Sequence, residues 1–175
     1  MQLHRENDKP VSPIYPLPTQ DVGGGSGRVA SASFMVAAAA YGAGDCIGTA
    51  QELANLGPAS GCEILVTSVV LEVHEAALQS GESGYRLHLY NALPPSGHGD
   101  NDAWDLPAGD RASHLATITI GAPLDLGSTL KIETDSIQKA VTVPAGGSLY
   151  AELVTSGAFT ATAAARKVTV HAVVL

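Results

Sequence analysis

The chain has 175 residues, among them 19 Gly and 10 Pro, with 9 basic side chains against 17 acidic ones and a formal net charge of −8. That length suits one domain with a core large enough to need no disulfide or metal staple. The sign of the charge speaks against direct nucleic-acid binding, which needs clustered Lys and Arg, and against adhesion to an anionic membrane.

The chain opens with MQLHREND, a charged stretch that leads into prolines rather than into the apolar run of a secretory signal. Residues 1–30 read as an extended arm. Pro10, Pro13, Pro16 and Pro18 fix φ and restrict the residues before them, and Gly23-Gly24-Gly25-Ser26-Gly27 makes a joint. Ile14, Tyr15 and Leu17, interleaved with the prolines, are spaced as apolar anchors for lying along another surface.

From residue 31 to 175 the pattern predicts short strands separated by Gly and Pro turns. Residues 32–41 alternate weakly, and this longest apolar stretch is too short to cross a bilayer. A turn at Gly42-Ala43-Gly44-Asp45 leads into 46–49. Residues 63–74 carry the longest strand signal, with Leu65, Val69, Leu71 and Val73 on one face and Ile64, Ser68, Glu72 and His74 on the other. Residues 84–92 set Tyr85, Leu87 and Leu89 against Arg86, His88 and Tyr90. Strands over 114–120, 129–134, 137–143, 148–155 and 167–175 follow, the last with Val168, Val170, Ala172 and Val174 in one row. Helical signals are confined to a turn or two at 50–56 and 161–165. Eight or nine strands without long helices between them predict an all-β, antiparallel two-sheet sandwich of jelly-roll type. The longest irregular stretch, 93–112, is of a length that usually carries function on a sandwich.

Catalytic and metal signatures are fragmentary. His74-Glu75-Ala76-Ala77-Leu78 starts like a zinc-protease motif but puts Leu78 where the second imidazole belongs. No strand carries the H-x-H pair of a cupin metal site, and no G-x-S-x-G elbow or phosphate loop occurs. Cys46 and Cys62 fit no zinc or redox spacing and read as reduced thiols of a chain made in a cytosol. Asp100, Asp102 and Asp105 form a weak calcium candidate, because Trp104 interrupts the EF-hand spacing and no Glu closes the loop. Asx turns that cap the loop's own N–H groups are the plainer use of these carboxylates. Trp104, the single tryptophan, reads as a lid over its own domain or else as an interface anchor, with Tyr90 as a second anchor. No cofactor and no catalytic residue are expected.

Three stretches look familiar together: Tyr41-x-Ala43-Gly44-Asp45-x-Ile47-Gly48, Gly84-Tyr85-Arg86-Leu87-His88-Leu89-Tyr90, and Trp104-Asp105-Leu106 with Gly109-Asp110-Arg111. With them, residues 31–175 resemble the head cement, or decoration, proteins of tailed bacteriophages. The resemblance implies a non-enzymatic virion protein on the capsid surface, with the major capsid protein as partner and a homodimer or homotrimer as its own assembly. The alternative on the same fold is a carbohydrate- or receptor-binding module of a head fibre or tail. Sugar sites present several aromatic faces, and this chain is 5% aromatic. A cupin-like metalloenzyme is the third reading.

Overall fold

A computed structural model describes residues 26–175. Two antiparallel sheets face each other. The first contains β1 (Gly27–Phe34), β12 (Arg166–Val174), β4 (Cys62–Val73) and then β8 (Leu130–Thr134) with the two-residue β7 (Leu124–Asp125) at its edge, while β9 (Lys139–Val143) pairs with the other half of β4. The second sheet is β3 (Cys46–Leu53), β10 (Leu149–Thr155), β5 (Gly84–Tyr90) and β6 (His114–Gly121). With β8 and β9 counted as one interrupted strand, the eight main strands lie in the order first, eighth, third, sixth in one sheet and second, seventh, fourth, fifth in the other. That order is the jelly roll expected from the sequence. A small ribbon of β2 (Ala40–Tyr41) with β11 (Phe159–Thr160) closes one end.

The core between the sheets follows the period of two. Tyr85, Leu87 and Leu89 of β5, Ile118 and Ile120 of β6, and Val168 and Val170 of β12 are all buried in it. Strand β4 departs from a single face. Ile64 and Val66 point inward at its start and Val69, Leu71 and Val73 at its end, because His171 pairs with Ser68 while Ala172 pairs with Val66, leaving Thr67 as an extra residue. This bulge flips the pleat, so Ile64, expected outside, is buried and Leu65 is not. Thr67 also divides the sheet's far side: β9 pairs with 62–66 and β8 with 69–73, and the chain between them turns through Ser136 and Gln138 at φ 57° and 49°.

Among the described residues the helical turns expected at 50–56 and 161–165 do not form. Strand β3 runs on to Leu53, Asn55 turns the chain at φ 60°, and 161–165 leads irregularly into β12. The sandwich begins earlier than residue 31. Gly27–Ala30 already pair with Val173–Val170, so a cut at 30 divides β1. The anchors expected on the arm, Ile14, Tyr15 and Leu17, lie outside the described residues.

Candidate functional site

The functional loop expected at 93–112 spans 91–113 in the structure, starts at the end of β5 and lies over the outer face of the four-stranded sheet. Its middle runs beside the start of β3. Cys46 N–H donates to the Asp102 carbonyl at 2.8 Å, Asn101 N–H to the Cys46 carbonyl at 2.9 Å, and Trp104 N–H to the Gly44 carbonyl at 2.9 Å. The loop thereby acts as a short added strand that covers an open sheet edge.

Beneath it, strand register builds a polar row. Glu152 of β10 pairs with His88 of β5, which pairs with Thr117 of β6; next to this row Tyr90 pairs with His114. These outward positions would be wet on a bare sheet, yet His88 is 2% exposed and Tyr90 is fully buried. The indole of Trp104 is the cover. It stacks on the His88 ring at 3.8 Å between centroids and 25° between planes. Its Nε1–H donates to Glu152 Oε2 at 3.0 Å, beside the Tyr90 hydroxyl, which donates to the same oxygen at 2.7 Å. Glu152 Oε1 lies 3.0 Å from His98 Nδ1, and His98 Nε2 lies 3.1 Å from Asp105 Oδ1. A buried carboxylate is thus surrounded by three donors, as buried charge requires.

The electrostatics differ sharply among the three rings. Burial, followed by the positive charge of neighbouring His114, Arg86 and His98, pushes His88 down to about 3, so it is neutral at ordinary pH. Its Nδ1 sits 3.1 Å from Thr117 Oγ1 and 3.3 Å from His114 Nε2, while its Nε2 is buried without a partner. Burial also lowers His114, with Glu152 opposing. For His98 burial works in the same direction, but its bonds to Glu152 and Asp105 outweigh it and raise the ring above the usual histidine value. Burial and the Glu152 bond hold the Tyr90 hydroxyl protonated. The Cys46 thiol is pushed up to about 12 by burial and the surrounding carboxylates, which leaves it a buried hydrophobe rather than a nucleophile.

The calcium candidates separate in space by role. Asp100 turns inward and accepts from Gly48 N–H at 2.7 Å, Ala37 N–H at 3.0 Å and the Tyr41 hydroxyl at 2.8 Å. Burial and that last bond push Tyr41 up to about 12. Gly48 is needed for this approach: its φ is 66°, and a Cβ there would lie 2.7 Å from the Met35 carbonyl oxygen. Asp102 accepts from Gly99 N–H, three residues back, at 2.6 Å; it caps the loop's own backbone as expected, but not as an Asx turn, which would take the N–H two residues on. Asp105 faces His98 and Asp110 is buried at the loop's base, accepting from Ser96 N–H at 3.2 Å. Among the described residues no group of three His, Cys, Asp or Glu side chains is placed to hold a metal ion.

Of the two aromatic anchors, Tyr90 departs from its expected role and Trp104 takes the first of its two readings. Tyr90, expected as an interface residue, is fully buried under the loop because Glu152 and Trp104 occupy its hydroxyl, so it presents no face to a partner. Trp104 is the lid of its own domain and half-buried. The pair therefore makes no open aromatic platform for a sugar ring.

A second buried cluster was not foreseen. At the opposite end of β5, Arg166 is fully buried with Nη1 3.1 Å from Glu75 and Nη2 3.4 Å from Glu82, and its Nε–H donates to the Tyr85 hydroxyl. Thr162 and Gln79 donate to Glu75, and the guanidinium lies 5.6 Å from the Phe159 ring centroid. Glu75, suspected as half of a zinc motif, is an ion-pair partner, and His74 beside it is exposed.

No protein-family model matches the chain, and no curated protein matches it.

Proposed function

We propose that this chain is a structural binding protein that cements neighbouring major capsid subunits on the outer surface of a tailed-phage head, working as a homodimer or homotrimer. The capsid as partner rests on the sequence resemblance. Binding of a protein surface rests on the uneven spread of apolar surface over the sandwich. Leu124 and Leu126, 67% and 64% exposed, stand on the open edge strand β7 and the turn after it, next to Ile132 and between Lys131 and Glu133. Adjoining large apolar side chains on an unpaired edge mark a contact surface more than a solvated one. The loop 91–113, by contrast, has turned its tryptophan onto its own sheet and leaves Leu93 as its single large exposed apolar side chain.

Co-sedimentation with expanded heads lacking the protein tests this reading. The full chain should bind saturably at a fixed ratio to the capsid subunit. A Leu124→Ser, Leu126→Ser double variant should bind at least about tenfold more weakly, since a buried Leu contributes roughly 1.5–3 kcal/mol. Failure of the full chain to bind overturns the reading, and binding to a glycan array instead would favour a carbohydrate-recognition module.

A further inference from the structure

We propose that His98 is a proton-operated latch that holds two parts of the 91–113 loop, the turn around His98 and the segment from Asp105 to Asp110, down on the outer face of the four-stranded sheet. The geometry carries this. Both ring nitrogens face carboxylate oxygens, Nδ1 at 3.0 Å from Glu152 and Nε2 at 3.1 Å from Asp105. A carboxylate only accepts and a neutral imidazole has one N–H, so both contacts are hydrogen bonds only in the imidazolium form. The two carboxylates belong to different parts of the molecule. Glu152 is on β10 and 2% exposed, whereas Asp105 is on the loop with its side chain 76% exposed. The protonated ring therefore ties the loop to the sheet at the buried Glu152 and braces two parts of the loop against each other at the accessible Asp105.

The groups packed around the ring make this proton decisive. From β5 come neutral His88 and the protonated hydroxyl of Tyr90, and from β6 comes His114, held toward its neutral form. The loop itself adds Asp105 and the buried Asp110, and β10 adds Glu152. On β3 the buried thiol of Cys46 stays protonated, and Thr49 and Ala50, which line a cavity with His98, bring no charge. Among these groups His98 is the cation. Without its proton, one lone pair faces a carboxylate and Glu152 loses a charged donor. The backbone bonds of Asn101 and Trp104 to Cys46 and Gly44 do not titrate, so the opening is confined to the segments on either side of them, around His98 and from Asp105 to Asp110. Because His98 titrates above the usual value, the latch is closed below about pH 6.5 and opens as pH rises through the raised value.

The single tryptophan gives the test. In the full chain, Trp104 emission and amide hydrogen exchange, taken relative to the intrinsic base-catalysed rate at each pH, are followed from pH 5 to 9. The latch predicts a transition with its midpoint above about 6.5, and about tenfold faster exchange at 96–100 and 105–110 on the alkaline side for each unit by which the ring is raised. His98→Gln should abolish the transition, whereas His114→Gln, at a ring 6.5 Å from Trp104, should keep it. Asp105→Asn, on the exposed side where folding is not at stake, should move the midpoint toward the ordinary histidine value. A transition that survives in His98→Gln, a midpoint unmoved in Asp105→Asn, or exchange that is flat across the range would overturn the latch.

Discussion

Strand β5 carries a buried polar cluster at each end, and the two are built on opposite principles. At the Tyr85 end a guanidinium that never loses its charge sits between two carboxylates inside the sandwich, with Arg166 itself fully buried. At the Tyr90 end one carboxylate, Glu152, is held on the outer face by an indole, a phenol and an imidazole. The first cluster joins strand ends and the turns beside them; the second joins a long loop to a sheet. Permanent charge inside the core fixes the architecture, whereas a titrating ring over a sheet makes the attachment of one loop conditional.

The contrast breaks most easily at Arg166. Arg166→Met should cost roughly 3–5 kcal/mol, because Glu75 and Glu82 remain buried without their cation; urea unfolding midpoints measure it, and a cost under about 1 kcal/mol would make the two clusters energetically alike. Trp104→Ala is expected to cost about 2 kcal/mol, less than a fully buried aromatic, since the ring is half-exposed and the sandwich core beneath is untouched. Its main consequence should be loss of protection at 94–110 in hydrogen exchange with the β-strands unchanged. The smallest effect sharpens the comparison by pH. His88 stays neutral in the folded protein to about 3, so the unfolded chain binds a proton that the folded one does not. Stability should therefore fall as pH drops from about 6.5 toward 3, and His88→Leu should flatten that slope.

Much of the sandwich was legible because a half-buried strand repeats every two residues. The rows Tyr85-Leu87-Leu89 and Val168-Val170-Ala172 face the core as read. The errors have physical causes. A bulge at Thr67 changes which face is inside, and sequence alternation across 63–74 cannot register an extra residue that only pairing with His171 and Ala172 reveals. Gly27–Ala30 look like linker because they continue the run Gly23-Gly24-Gly25-Ser26 with Val29 as their single β-branched residue; their place in β1 is decided by the neighbouring β12. The lid role of Trp104 could be read from a lone aromatic in a long loop. The cluster beneath it could not, since His88, His98, His114 and Glu152 come from three strands and a loop and meet only through register. One signal was present: His88 and Tyr90 occupy the outer face of the strand that leads directly into the loop. For the Arg166 cluster the basic pair Arg166-Lys167 at the head of an otherwise apolar strand, with Glu75 and Glu82 in the connection that follows β4, was the trace left in the sequence.

Strand β1 has a mechanical meaning. It is zipped to β12 over eight residue pairs, from Gly27 opposite Val173 to Phe34 opposite Arg166, and it is antiparallel to this strand, its only ladder partner among the described residues. Tension applied to the chain ahead of Gly27 along the strand axis loads those pairs together, in shear, rather than peeling them apart one after another. At its far end the strand is fixed by the buried ring of Phe34. The jelly roll thus resists traction from its N-terminal side best when the pull runs parallel to the sheet, and yields most readily to a pull that lifts Gly27 away from Val173.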